Sequence, residues 1–291
     1  MATVGFVGLG GMGSRIAGRL LAAGHQVYGT NRTAEKAVPL VERGLIWRDR
    51  EREVAQEAEI VFSMVTDDAA LRAVADGPNG VVAGLAPGSV YVDMSTVSPQ
   101  ASSEIAERVR ARGAEMLDAP VSGSVSEAEE GTLTIMVGGP EETFARVEPI
   151  LRELGTNVIR IGKNGDGLTM KLALNISLAQ QMLAFSESVL LAERGGIDRE
   201  LAVSVLTQSA LGSPMLQRRG PLVLDLPEQA WFDVSLMRKD LQLALDAATT
   251  LDVPLPSAAV AKQLFTAAHA MGYAHRDIAV VYEVLAELAG Q

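Results

Sequence analysis

No cysteine occurs among the 291 residues. That excludes disulfides, thiolate metal sites and a cysteine nucleophile. Histidine is almost as scarce. His25, His269 and His275 are scattered without metal-ligand spacing, so structural or surface roles are expected for all three. Positive charge is also short. The 25 basic residues face 36 acidic ones, a net charge of −11, which argues against nucleic acid or an anionic membrane as partner. No run reaches the roughly 18 apolar residues that cross a bilayer. Met1 is followed almost at once by a strand-like segment, with no room for a leader, and a cytoplasmic location is the default expectation. What remains is ordinary for a globular chain, with 48% hydrophobic and 21% charged residues, long enough for one large or two medium domains.

The densest information lies in TVGFVGLGGMGSRIAGRLLAAGHQVYGTNRT, residues 3–33. It reads as strand, glycine turn, helix, strand. Gly8, Gly10 and Gly13 carry the G-x-G-x-x-G spacing, with Gly11 and Met12 between them. The first glycine permits a tight turn, the second lets the backbone approach a pyrophosphate, and the third lets helix and strand pack closely. The helix N-terminus then aims free N–H groups at phosphate. A bare match is equally a turn without ligand, but here strand, helix and second strand all stand at the right distances, so a dinucleotide is expected. At the end of the second strand an NAD site usually carries Asp or Glu. This chain has Asn31, Arg32 and Thr33. No carboxylate repels a 2′-phosphate, and a guanidinium suits one. NADP(H) is the expected preference, with NAD possible. The other reading is a solvated Arg32, with Asn31 serving either coenzyme.

Strand-like apolar runs recur to residue 162, at 60–65, 90–94, 115–117, 133–137 and 158–161. Helical patterns lie between most of them, at 34–43, 68–75, 99–112 and 141–154. Such alternation predicts a mostly parallel sheet covered on both faces. After Gly162 the character changes. A long helix is expected over about 168–194, then helices at 199–209, 235–250, 257–271 and 277–288. The expected architecture is α/β: a Rossmann-type doubly wound sheet in residues 1–163 and an all-α domain in 164–291, joined by the long interdomain helix. That helix is apolar nearly all round, which predicts burial and, at about 40 Å, favours an intertwined homodimer or homotetramer.

Two polar residues interrupt this helix. Lys171 and Asn175 are four apart and share a face. Lysine is rarely buried without a purpose, and desolvation lowers its pKa toward the range where an amine exchanges protons. The alternative is a lysine snorkelling at a helix end. A second candidate is Asp118-Ala-Pro-Val-Ser-Gly-Ser124, beyond a strand end, where ligands of open α/β sheets bind. The Ser122 hydroxyl and the N–H groups near Gly123 and Ser124 can cradle a carboxylate, although a plain loop is the simpler reading. Asp93-Met-Ser-Thr96 ends the preceding strand and can border a nicotinamide. Glu127, Glu129 and Glu130 read as a solvated helix face rather than an acid–base pair.

Four blocks taken in order resemble the β-hydroxyacid dehydrogenase family, which includes 3-hydroxyisobutyrate dehydrogenases and glyoxylate/succinic semialdehyde reductases. They are Gly5-Phe-Val-Gly-Leu-Gly-Gly-Met-Gly13, Asp118-Ala-Pro-Val-Ser-Gly123 with Gly131-Thr-Leu133, Gly165-Asp-Gly167 with Lys171 and Asn175, and Lys239-Asp-Leu241. The resemblance spans nearly the whole chain. It implies an oxidoreductase that interconverts a small hydroxy acid and its semialdehyde or keto form. Lys171 is then the implied general acid/base, with Asn175 orienting it and the substrate. Ser122, Gly123 and Ser124 would bind the substrate carboxylate, and Thr96 would touch coenzyme or substrate. Met64 and Val65 would join the glycine turn as coenzyme contacts. Lys239 would reach the coenzyme side of the cleft, supported by Asp240. Two positions depart from the pattern. Ser124 replaces a usual glycine and is expected to reshape the carboxylate pocket. Leu174 replaces the first of two usual asparagines. The rival readings are an imine reductase, which usually has another residue at Lys171, and a non-catalytic NADP-binding sensor or scaffold. A 6-phosphogluconate dehydrogenase would need a larger helical domain.

Overall fold

The computed structural model describes residues 1–290. The chain divides into two compact units, Met1–Lys171 and Leu172–Gln291. The division falls inside the long helix, a little beyond the composition change at Gly162.

The first unit is built on a nine-stranded sheet. Its strands are β1 (Thr3–Val7), β2 (Gln26–Thr30), β3 (Ile46–Trp47), β4 (Ile60–Ser63), β5 (Val90–Asp93), β6 (Glu115–Asp118), β7 (Val121–Ser122), β8 (Thr134–Gly138) and β9 (Asn157–Gly162). The order is β3-β2-β1-β4-β5-β6-β8-β7, with β9 beside β8. From β3 to β6 every pairing is parallel. The strands read as unbroken apolar runs because both faces are covered. Val4, Phe6, Phe62, Val92 and Leu117 enter one core with Ile16 and Leu20 of the first helix, Gly11–Ala22. Val7, Val61, Tyr91 and Met116 enter the opposite core with Val54 and Ile105. The alternation along each strand is the two-residue period of the pleat.

Three features were not specified by the sequence reading. First, β8 runs antiparallel to β6 and β7. The chain after β6 forms β7 and the short helix Val125–Glu130, then re-enters the sheet reversed, which needs no crossover. Second, the helix expected at 34–43 is a 3-10 turn, Ala34–Ala37, followed by one α turn, Val38–Val41. Pro39 has no N–H to bond back into the preceding turn. Third, the helix Glu51–Glu57 had no visible signal beyond Val54 and Ala55. It packs at Gly5, where a Cβ would lie 2.6 Å from Val54 Cγ1. His25 is structural, as its turn position implied. Its Nδ1 accepts from Ala2 N–H at 3.1 Å, and Nε2 faces Glu153 Oε2 at 2.7 Å.

The second unit is helical. Beyond the long helix it contains Arg199–Gln208, Pro214–Arg219, Val234–Thr250, Pro256–Ala268 and Val281–Leu288. No strand occurs there among the described residues, and Asp233 and Asp277 form only an isolated bridge. The core gathers Ala179, Met182, Phe185 and Val189 with Met237, Leu241, Phe265 and Tyr282. The long helix spans Asp166–Arg194, 29 residues. Within this chain it is not buried all round. Leu172, Asn175, Ala179, Met182, Phe185 and Val189 form one buried stripe, while Ala173, Ser177, Ala184 and Leu191 are exposed. The residues off the stripe are mostly small or polar, so apolar content overstated the buried face. No helix among the described residues is long and apolar enough to cross a membrane.

Candidate coenzyme and substrate site

The parallel strands end level with one another. Val7 pairs with Thr30 on one side and Ser63 on the other, Ser63 with Asp93, and Asp93 with Asp118. The residues that follow, Gly8, Asn31, Met64, Met94 and Ala119, therefore form one rim at the carboxyl edge. The strand order reverses between β1 and β4, the switch point where open α/β sheets bind ligands.

The glycine turn sits at that switch. Gly8 has φ +93°, and a Cβ there would run into the Met64 carbonyl oxygen. A Cβ on Gly13 would strike the Gly8 carbonyl oxygen and lie 3.1 Å from the Phe6 ring. These two glycines are required by the protein itself. Gly10 and Gly11 are different: a Cβ on either meets nothing within 4 Å, so that space is open to a ligand. Gly10 caps the helix without a side-chain hydrogen bond, and the first turn holds no acidic residue. The first helical bond is Ser14 N–H to Gly10 C=O, 3.0 Å. The amides of Gly11, Met12 and Gly13 precede it and point outward, as helix N-termini do. An open cradle at an uncapped helix start fits a pyrophosphate.

Asn31 does more than line this edge. Its Oδ1 accepts from Leu9 N–H at 2.9 Å, and its Nδ2 donates to the Thr33 carbonyl at 2.8 Å. The amide thus holds the glycine turn against the end of β2. Aspartate could not do both, since it has no donor when ionised. Arg32 and Thr33 are exposed. No carboxylate among the described residues pairs with Arg32.

At the next two strand ends lies a buried network that sequence alone did not disclose. Asp93 is fully buried. Its Oδ1 accepts from Ser63 Oγ at 2.7 Å and Ser95 Oγ at 2.6 Å. Ser63 Oγ also meets the Tyr91 hydroxyl at 2.8 Å, and Ser95 Oγ accepts from Val65 N–H at 2.9 Å. The backbone at Val65 and the Ser95–Thr96 segment are thereby tied to one carboxyl group. Thr96 itself is half-buried. Burial pushes the Asp93 carboxyl from 3.8 up to about 6, against the opposing pull of the two serine hydroxyls. The folded value lies above the unfolded one, so the native state binds this proton more tightly. Its contribution to stability is therefore full below about pH 4 and is lost as pH rises through 6. Wild type should lose about 3 kcal/mol relative to Asp93→Asn between pH 4 and pH 7. Urea denaturation across that range measures it, and parallel curves for the two proteins would refute it.

The Asp118–Ser124 segment is not a plain loop. Asp118 ends β6 and is fully buried. Its Oδ1 accepts from Gly165 N–H at 2.7 Å and its Oδ2 from Leu168 N–H at 3.1 Å. Burial raises this carboxyl too, while those two N–H groups oppose the rise. Ser122 is half-buried at the end of β7, and Gly123 is exposed with φ +138°. A Cβ at Gly123 would lie 2.7 Å from Leu133 Cδ2. Ser124 caps the helix Val125–Glu130 in a reciprocal box with Glu127. Its N–H and Oγ both donate to Glu127 Oε2, at 2.7 and 2.6 Å. Glu127 is therefore a capping residue, not part of a solvated face. Glu129 and Glu130 are exposed, and Glu129 pairs with Arg15 at 3.2 Å. The serine-to-glutamate spacing was the signal for this cap.

Lys171 is half-buried in the second turn of the long helix. One turn further on, Asn175 is buried in the second unit. Asn175 Nδ2 donates to Asp240 Oδ2 at 2.6 Å, and Lys239 Nζ lies 2.9 Å from Asp240 Oδ1. The three residues expected from separated sequence blocks are thus joined. An ionised carboxylate only accepts, so it fixes which end of the Asn175 amide faces it. The other end, Oδ1, is buried and has no hydrogen-bond donor among the described residues.

Known proteins resemble this chain along nearly its whole length. Residues 3–162 match a family model described as the NAD binding domain of 6-phosphogluconate dehydrogenase. Residues 165–285 match one described as NAD-binding of NADP-dependent 3-hydroxyisobutyrate dehydrogenase. The chain is 36% identical to 2-hydroxy-3-oxopropionate reductase of Escherichia coli, covering 98% of both chains. It is 34% identical to the chloroplastic glyoxylate/succinic semialdehyde reductase 2 of Arabidopsis thaliana, over 97% of this chain and 79% of the relative. The solved structure of Mycobacterium tuberculosis 3-hydroxyisobutyrate dehydrogenase with L-serine superimposes with a TM-score of 0.88 at 30% identity, covering 98% of this chain and 99% of that one. The chain belongs to the β-hydroxyacid dehydrogenase family of NAD(P)-dependent oxidoreductases.

Proposed function

We propose that this enzyme interconverts a small 3-hydroxy acid, or a related 2-hydroxy or hydroxyaldehyde acid, with its semialdehyde or keto form, using NADP(H) in preference to NAD(H). Lys171 is the general acid/base. The observation that carries the reading is the helix face holding Lys171 and Asn175, with Asn175 Oδ1 buried and lacking a protein donor. A buried acceptor left open costs about 1–3 kcal/mol, a cost that a donor on the substrate or on Lys171 removes. The relatives named for 2-hydroxy-3-oxopropionate and for glyoxylate and succinic semialdehyde support the substrate class.

A nicotinamide coenzyme, when bound, would supply or accept the hydride at the carbonyl carbon. The chain's own residues do the rest. The protonated amine of Lys171 offsets charge developing on the carbonyl oxygen and donates the proton. Asn175, held by Asp240, presents Oδ1 to accept from the substrate hydroxyl or from the Lys171 amine. Ser122 Oγ and the Gly123 N–H take the substrate carboxylate. Because the Ser124 N–H and hydroxyl are both committed to Glu127 Oε2, Ser124 contributes to that pocket by fixing the loop rather than by donating to the substrate. Gly10, Gly11, Met12 and Gly13 would hold the pyrophosphate at the turn that Gly8 allows, and Met64, Val65, Thr96 and Lys239 would flank the coenzyme. Exposed apolar side chains in the second unit, Leu191, Leu201 and Val205, support assembly into a homodimer or homotetramer.

Arg32, exposed and beside the turn, is the proposed 2′-phosphate ligand. A charge-assisted hydrogen bond to phosphate contributes about 1.5–3 kcal/mol, roughly 10- to 100-fold in binding. A panel of C2–C5 hydroxy and aldehyde acids, assayed with each coenzyme in both directions, tests substrate class and preference together. NADPH should exceed NADH by at least about tenfold in kcat/KM, and Arg32→Ala should remove most of that margin while leaving the NADH rate alone. Equal rates with both coenzymes in wild type would reject the preference.

A further inference from the structure

We propose that Asp118 is a positioning residue for the reaction: its buried carboxylate clamps the first turn of the Lys171 helix to the end of β6, and so sets the spacing between the Lys171 amine and the Ser122–Ser124 loop. This rests on the reading of Lys171 as the general acid/base.

The contacts define a clamp across distant chain segments. Asp118 is fully buried and bonds Gly165 and Leu168, 47 and 50 residues away in sequence. Leu168 lies three residues, one helical turn, before Lys171. In the other direction, three residues separate Asp118 from Ser122. One carboxylate therefore holds both the strand end from which the loop departs and the helix that carries the amine.

The packing admits little else. A Cβ on Gly138 would lie 2.6 Å from both Asp118 oxygens, and one on Gly167 would lie 2.8 Å from Oδ2. Local helix capping does not need such a residue. Serine, threonine or asparagine at an exposed N-cap satisfies an amide at the Leu168 position without desolvating a charge. The carboxylate uses both oxygens, one per N–H. Asparagine can satisfy one amide, but it presents its own NH2 to the other. The helix start is then released from β6 on one side. Displacements of this kind matter, since about 1 Å of misplacement costs roughly a hundredfold in rate.

The test is a double-mutant cycle on the full chain with Asp118→Asn and Lys171→Ala, following kcat and NADPH binding by fluorescence. Asp118→Asn should lower kcat by at least about tenfold with NADPH affinity unchanged, because the glycine turn follows β1, three strands along the sheet from β6. In the Lys171→Ala background it should cost less than about twofold more, since a positioning effect has nothing left to position. A merely structural role would lower both backgrounds by the same factor, and that result would overturn the proposal. So would a loss under about twofold in the single variant. Asp118→Ser, which adds no volume, replaces Asp118→Asn if the latter does not fold. A near-normal rate for Lys171→Ala alone is a separate outcome: it would remove the proton-transfer reading beneath this inference.

Discussion

Lys171→Ala should lower kcat by about 10³-fold, within the range of roughly 10²–10⁴ that a general acid/base contributes, and leave NADPH affinity within about twofold of wild type. The coenzyme half of this expectation follows from the placement of the residue. The glycine turn at Gly8–Gly13 follows β1, whereas Lys171 lies in the second turn of a helix beginning at Asp166. The catalytic half follows from chemistry. Hydride addition leaves negative charge on oxygen, and without the amine neither charge nor proton is supplied. Arginine should not rescue the variant, because a guanidinium cannot release its proton in the working pH range. Lys171 is half-buried rather than core, so the fold should survive alanine. Single-turnover kinetics with stoichiometric NADPH separates binding from chemistry. A variant within tenfold of the wild-type rate would sink the assignment.

How much of this could be read before the structure depended on the range of the interaction. The glycine turn was legible because its constraints are local. Gly8 needs positive φ, and Gly13 faces the Gly8 carbonyl five residues away. The strands β1, β4 and β5 were legible because burial on both faces leaves unbroken apolar runs. Lys171 and Asn175 were legible as a pair because helix periodicity sets them on one face. The opposite holds for Asp93, whose partners Ser63 and Ser95 are chosen by strand register. Register between β4 and β5 has no signature in a single sequence. Asp118 was visible as the start of a loop motif, but its bonds to Gly165 and Leu168 span distances that no spacing rule reaches. Glu127 was legible in retrospect, since Ser124 and Glu127 stand three apart ahead of a helix. The long helix misled in one respect: its apolar content suggested burial nearly all round, yet only one stripe of it is buried in this chain and the residues off that stripe are mostly small or polar.

Gly10→Val should abolish coenzyme binding while leaving the fold essentially as stable as wild type. The contrast with its neighbours makes the case. A side chain on Gly8 or Gly13 collides with backbone carbonyl oxygens, so substitution there damages the protein whether or not a ligand is present. At Gly10 the backbone is extended, φ −77° and ψ −161°, which L-residues adopt freely, and a Cβ meets nothing within 4 Å. Folding alone gives no reason for glycine at this position beyond the few tenths to about 1 kcal/mol that an N-cap preference carries. The requirement must come from what occupies that space, and the helix start beside it offers unbonded amides to an anion. Valine would fill the cradle with two methyl groups where a pyrophosphate has to reach the Gly11, Met12 and Gly13 amides. Thermal unfolding with and without NADPH reads both halves at once. Wild type should gain stability with ligand as RT ln(1 + [L]/Kd), about 2.7 kcal/mol at a hundredfold excess over Kd. Gly10→Val should melt near the unliganded wild type and show no shift at the same NADPH concentration, a loss of at least about a hundredfold in affinity. If the variant instead responds to NADPH as wild type does, the phosphates do not lie over this turn.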